Sequence, residues 1–221
     1  MAVRNTFKFT MGEVFPADDP VARWLVTMSI GLNDVLHSNG LMVQAEKDYE
    51  DLYYFRLASA HLWEVAKLIT ASYDSWPEIQ AFVAELADPA HEHFEAIGTI
   101  ATTGDVASIG TELVQVRDLF SHYQEMDEQG RENPRDPITK AMAALVDEEI
   151  ELEIGEEVHE LRLSYGDAVI AQTVMRLIPE EDMQKHVLGA FAEGVGHVAQ
   201  FVQIALNARL EPRKDTLERI K

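Results

Sequence analysis

The sequence predicts an all-α protein: a helical bundle of about six to seven helices that follows a short extended N-terminal arm. Apolar residues recur at helical spacing through most of the 221 residues. Prolines, acidic residues and glycines stand where helices begin and end. No set of alternating segments is large enough to build a sheet. Hydrophobic residues make up 47% and charged residues 26%, which is an ordinary balance for a globular chain.

The first elements are an arm and a helix. Apolar and polar residues alternate over residues 6–11, which indicates an extended arm or an edge strand. A helix is predicted to begin at residues 18–20, Asp-Asp-Pro, because acids and proline favour a first helical turn. It is predicted to end at residues 37–40, with Gly40 in the left-handed cap conformation.

The middle of the chain predicts three further helices. A long helix with a broad apolar face covers residues 46–73. Ser75 and Glu78 have the spacing of a capping box before the next helix. Asp88 begins another, and Thr-Gly-Asp at 103–105 ends it.

The second half of the chain is also predicted to be helical, with one clear loop at residues 127–137. The predicted helices cover about 109–125, 138–154, 156–177 and 180–210. Because the apolar faces on both sides of the loop need partners, we expect one structural domain. In it, residues 1–45 pack as arm and helix on a bundle formed by 46–221.

Charge and cysteine content exclude several classes of function. The net charge is −21, from 18 basic and 39 acidic residues, and such a field disfavours broad DNA binding. The chain has no cysteine, which excludes disulfides, zinc–thiolate sites, iron–sulfur clusters and thiol catalysis. No signal peptide or membrane-spanning apolar run is evident, so we expect a cytoplasmic protein without a membrane partner.

One segment carries a recognisable pattern, Arg117-Asp118-Leu119-Phe120-Ser121-His122, followed by an aromatic residue. This Arg-x4-His arrangement resembles the active-site signature of the HEPN superfamily, all-helical domains many of which are metal-independent endoribonucleases. Residues 56–69 resemble an early HEPN helix, with Glu64 in the place of its buried polar residue. The resemblance covers about residues 48–125.

The resemblance implies a role for each residue of the motif. His122 would be the general acid or base, Arg117 the phosphate clamp and Asp118 the residue that orients the histidine. A histidine titrates near neutral pH, and a guanidinium can hold two phosphorane oxygens as charge develops. Asp118 and His122 are four positions apart and share a helix face.

Arg117 and His122 do not share a face, because positions five apart on a helix differ by about 140°. A symmetric dimer could bring two motifs over one cleft, as the resemblance implies. It further implies an RNA substrate, no cofactor, and a toxin or phage-defence setting that is compatible with an antitoxin partner of the minimal nucleotidyltransferase type.

Two other functions remain open. Glu156 and His159 have the Glu-x-x-His spacing of di-iron helical bundles, which would make the protein a metal-binding bundle, although no second copy of the motif is present. The other alternative is a non-catalytic dimeric scaffold or regulator, which fits the net charge of −21.

The remaining histidines and the tryptophans have simpler interpretations. His91 and His93 are expected to be ordinary surface histidines, and His197 a hydrogen-bonded core or interface group. The three tryptophans, Trp24, Trp63 and Trp76, are expected to anchor the core.

Overall fold

The fold is all-α, as the sequence predicts. The computed structural model describes residues 6–45, 48–103, 144, 188–216 and 218–220. The elements in these ranges are β1 (Thr6–Lys8), α1 (Met11–Val14), α2 (Pro20–Gln44), α3 (Asp48–Ser75), α4 (Pro77–Ala84), α5 (Asp88–Thr103), α6 (Leu188–Leu210), a 3₁₀ helix (Glu211–Thr216) and β2 (Glu218–Ile220). None of the helices described in these ranges is long and apolar enough to cross a membrane.

Helix α2 begins where the sequence predicts. Oδ1 of Asp19 accepts hydrogen bonds from the backbone N–H of Val21 at 2.9 Å and of Ala22 at 3.2 Å. Pro20 occupies the first helical turn, where its missing N–H has no cost. The acid before the proline, Asp19, is therefore the N-cap of α2.

The predicted end of α2 is wrong, because the helix continues through Gly40 to Gln44. Gly40 has helical backbone and no left-handed cap. Around it, Ser38 is buried and Met42 packs against the hydrophobic core. Packing of this last turn outweighs the low helix propensity of one glycine, which costs about 1 kcal/mol.

Helices α2 and α3 pack along each other and carry much of the core. Gly31 permits their close approach at one point, since a Cβ built there would overlap Cγ2 of Val65 and lie 3.3 Å from its Cβ. Val65 is itself buried. The absence of a side chain at position 31 therefore sets the local spacing of the two helices.

The turn between α3 and α4 differs from the predicted capping box. Ser75 is the last residue of α3, and its hydroxyl donates to the carbonyl of Ala71 at 2.7 Å. Trp76 is the N-cap of α4, and it makes no side-chain capping bond. The prediction was wrong because Ser75 bonds back into the helix that it ends. By contrast, α5 begins at Asp88, as predicted, and its last described residue is Thr103.

Helix α6 completes the core through aromatic contacts. The ring of Phe201 is fully buried and lies 6.0 Å from Trp24 and 5.6 Å from Phe94, centroid to centroid. Phe191 contacts Phe55 of α3 at 5.4 Å. These contacts join α2, α3, α5 and α6 in one hydrophobic cluster.

The prediction that all three tryptophans anchor the core is confirmed for Trp24, which is 3% exposed, and is wrong for Trp76, which is 43% exposed. Trp76 lies at the start of α4, where the Arg23 guanidinium stacks 5.7 Å from its ring. Trp63 is partly buried, with the ammonium of Lys67 4.1 Å from its ring. An indole ring can thus bind a cation on its face, and it does not have to lie in the core.

The extended arm is confirmed, over a shorter stretch than predicted. Strand β1 pairs antiparallel with β2, with Thr6 opposite Ile220, and the chain turns into α1 at Met11. Arg209, near the end of α6, also connects the N-terminal segment to the C-terminal helix, because its Nε donates to the carbonyl of Val14 in α1 at 2.9 Å. Its Nη2 lies 2.6 Å from Oδ2 of Asp19.

Candidate functional site

The sequence-predicted site residues lie outside the described residues. These are Arg117, Asp118 and His122 of the Arg-x4-His motif, and Glu156 and His159 of the metal-binding alternative. Their assignment therefore stays a prediction from the sequence.

The helix compared with an early HEPN helix is described, and one expectation about it is wrong. Glu64 is exposed on α3, so it is not a buried polar residue. The buried polar side chain of this helix is Ser59, which is 3% exposed. Val65 and Ala66, which follow Glu64, are buried and lie on the side of α3 that faces the core. Glu64 therefore lies on the side that faces solvent.

The described residues bring together one group of chemically versatile side chains, in the contact between α5 and α6. Nδ1 of His93 lies 3.0 Å from Nδ1 of His197, with ring centroids 5.2 Å apart. Nε2 of His93 lies 3.1 Å from Oε1 of Gln200. Nε2 of His197 lies 3.8 Å from Oε1 of Glu193. We call these four residues the histidine-pair site.

Helical spacing explains how α6 supplies its three members. Glu193, His197 and Gln200 follow each other at four and three residues, so their side chains share one helix face. His93 reaches them from α5, where the next residue, Phe94, packs against the core. The site is open to solvent, since the side chains of His197 and Glu193 are 28% and 58% exposed.

The predicted role of His197 is confirmed, because it is a hydrogen-bonded group at the contact between two helices. The prediction for His93 is wrong: it is a partly buried member of the same site and not an ordinary surface histidine. His91 is also partly buried, and its Nε2 donates to the Leu86 carbonyl at 3.2 Å. The spacing of residues in α6 indicates which of its side chains share a face. His93, which this face contacts, lies 104 positions before His197, and the sequence gives no sign of that contact.

The hydrogen bonds of the histidine pair indicate which ring nitrogens carry hydrogen. The Oε1 of Gln200 is an acceptor, so Nε2 of His93 donates to it, and Nδ1 of a neutral His93 is left as an acceptor. His197 can then donate from its Nδ1 to Nδ1 of His93 at 3.0 Å. The distance of 3.8 Å from Nε2 of His197 to the Glu193 carboxylate is too long for a hydrogen bond.

A second ionisable pair, Asp19 with Arg209, is structural. Burial raises the pKa of the Asp19 carboxyl, but the Ala22 N–H and the Arg209 guanidinium outweigh it and hold the pKa below its ordinary value. The carboxylate therefore stays charged where it caps α2 and meets α6.

Larger metal clusters are absent from the part of the chain that the structure describes: no group of three or more His, Asp or Glu side chains there is arranged to hold a metal ion. Comparison with known proteins gives no match to a family model, to a curated protein or to a solved structure. The resemblance to the HEPN superfamily accordingly rests on the sequence motif.

Proposed function

We propose that the protein is a HEPN-like, metal-independent endoribonuclease of the toxin or phage-defence type. The observation that carries this proposal is the segment from Arg117 to His122, in which an arginine, an adjacent acid and a histidine followed by an aromatic residue have the spacing of the HEPN signature. The all-α architecture of the described residues is compatible with the HEPN resemblance.

The proposed reaction is the attack of an RNA 2′-oxygen on the adjacent phosphorus, which breaks the bond from phosphorus to the 5′-oxygen of the next nucleotide and leaves a 2′,3′-cyclic phosphate and a 5′-hydroxyl. His122 takes the proton of the hydroxyl or donates a proton to the leaving oxygen. Arg117 binds the non-bridging phosphate oxygens as charge develops on them. Asp118 accepts a hydrogen bond from the imidazole and orients it, and no metal takes part.

The first experiment measures RNA cleavage in excess chelator by the wild type and by His122→Ala. Loss of an acid–base group lowers the cleavage rate by about 10²- to 10⁴-fold. The matched control is His37→Ala, because His37 is exposed on α2 and lies outside the motif. Thermal melts of all three proteins separate a chemical effect from unfolding. If the wild type cleaves no RNA, or if His122→Ala cleaves as the wild type does, the nuclease proposal is wrong.

The second experiment tests the dimer cleft. If Arg117 of one protomer acts with His122 of the other, a dimer of Arg117→Ala with His122→Ala contains one intact site and one doubly defective site. An equal mixture in which half the dimers are mixed then recovers about a quarter of the wild-type activity. A site formed within one protomer recovers nothing, which would refute the shared cleft.

A non-catalytic scaffold or regulator is the second candidate, and the net charge of −21 favours it because that charge repels RNA. In that case Arg117→Ala and His122→Ala change the melting temperature or partner binding, and the wild type has no nuclease activity for them to lose.

A further inference from the structure

The histidine-pair site brings two imidazole nitrogens within reach of one ion, since Nδ1 of His93 and Nδ1 of His197 lie 3.0 Å apart. In metal sites a histidine binds through one ring nitrogen and donates its other N–H to a carbonyl or carboxylate, which fixes the tautomer. His93 has such a partner, because its Nε2 lies 3.1 Å from the Gln200 amide oxygen. Nε2 of His197 lies 3.8 Å from the Glu193 carboxylate, which is near it but beyond hydrogen-bond distance.

We propose that His93 and His197 bind a divalent transition-metal ion between their Nδ1 atoms, with Cu²⁺ and Ni²⁺ as the preferred ions. Imidazole nitrogen is a favoured ligand of both ions, whereas Mg²⁺ and Ca²⁺ prefer oxygen. The proposal shares no residue with the proposed nuclease motif, so either can fail without the other.

The separation of the two nitrogens favours particular coordination geometries. Two metal–nitrogen bonds of about 2.1 Å that end on atoms 3.0 Å apart enclose an angle of about 90°. That angle belongs to adjacent positions of a square-planar or octahedral ion, which are geometries of Cu²⁺ and Ni²⁺. Cu²⁺ also heads the usual order of affinity of first-row divalent ions for nitrogen ligands.

The surroundings determine what kind of metal site this is. The chain offers two nitrogen ligands there, and no third His, Asp or Glu of the described residues joins them. The His197 side chain is 28% exposed, so solvent can fill the other coordination positions. The Glu193 carboxylate balances part of the charge of the ion. Such a site exchanges its metal readily.

The experiment titrates the full chain with Ni²⁺, and separately with Cu²⁺, in isothermal titration calorimetry with a non-chelating buffer, and follows thermal melts with and without metal. The variants are His93→Gln and His197→Gln, each of which removes one ligand. The control is His37→Gln, an exposed histidine of α2 far in sequence from the pair. Gln200→Ala keeps both ligands and removes the acceptor that orients His93.

We expect the wild type and His37→Gln to bind Ni²⁺ with equal affinity and to gain the same increase in melting temperature. Each ligand variant should lose that increase. Gln200→Ala should weaken binding by about 10- to 100-fold, the usual effect of removing an orienting partner. If one ligand variant fails to fold, the other and Gln200→Ala still decide the question.

The proposal is overturned if the wild type binds neither ion. It is equally overturned if His93→Gln, His197→Gln and Gln200→Ala bind as the wild type does. In either case the contact between the two Nδ1 atoms is a hydrogen bond and nothing more. Mg²⁺ should give no signal that depends on the pair.

Discussion

We predict opposite effects for the substitution of alanine at two glycines of α2, Gly31 and Gly40. An alanine in a helix interior is favoured over glycine by about 1 kcal/mol, because glycine loses more backbone entropy on folding. At Gly40 an added Cβ meets no atom within 4 Å, so Gly40→Ala should stabilise the protein by about 0.5–1 kcal/mol. At Gly31 the added Cβ overlaps Cγ2 of Val65.

The overlap at Gly31 is costly because Val65 cannot easily move. A helical valine has one strongly preferred rotamer, and Val65 is 2% exposed in the contact between α2 and α3. Overpacking of this kind costs about 1–3 kcal/mol, which cancels or exceeds the gain in helix propensity. Gly31→Ala should therefore be less stable than Gly40→Ala by about 1–3 kcal/mol.

Urea denaturation followed by circular dichroism at 222 nm measures this difference, since the midpoints shift while the slopes stay equal. In thermal melts the gap should be about 2–12 °C. Val65→Ala provides the control background, because it removes Cγ2, the atom that the new Cβ would overlap, and leaves only the contact with Cβ of residue 65 at 3.3 Å. In that background Gly31→Ala should stabilise the protein. If Gly31→Ala stabilises the wild type as much as Gly40→Ala does, the close approach of α2 and α3 is wrong.

Three other predictions concern an ion pair, the core and a turn. Asp19→Asn keeps an N-cap but loses the charge that faces Arg209, and should cost about 1–3 kcal/mol at neutral pH. Because the folded pKa of Asp19 is lowered, its contribution is present above the unfolded pKa of about 3.9 and is lost as the pH falls through the folded value. The stability gap should narrow below about pH 4, and a constant gap from pH 7 to pH 3 would contradict this account. Phe201→Ala should lower the free energy of unfolding by about 3–5 kcal/mol, against at most about 0.5 kcal/mol for Leu188→Ala, which alters an exposed side chain; equal losses in urea denaturation would show that α6 does not close the core. Ser75→Ala should change stability by less than about 0.5 kcal/mol, since Ser75 does not cap α4; a loss of about 1 kcal/mol in the same assay would restore the capping box.

The parts of the fold that were predicted correctly depend on interactions between residues that are close together in the sequence. Asp19 satisfies free N–H groups of the first turn of α2, and Asp88 places an acidic side chain in the first turn of α5, where the helix dipole favours it. The all-α class follows from apolar spacing by the same local argument. The wrong predictions at Gly40 and Ser75 were at positions where two local outcomes are possible. Gly40 can end a helix or continue one, and the burial of Ser38 and Met42 decided for continuation.

The candidate sites divide in the same way. The sequence alone assigned Arg117, Asp118 and His122 a role in RNA chemistry, and that assignment stays a prediction. Tertiary structure alone paired His93 with His197, because the two residues are 104 positions apart and only the packing of α5 on α6 brings their Nδ1 atoms within 3.0 Å. Glu193, His197 and Gln200 lie on one face of α6 because a helix repeats every 3.6 residues. Which residue that face meets depends on how the helices pack, and only the folded chain determines that packing.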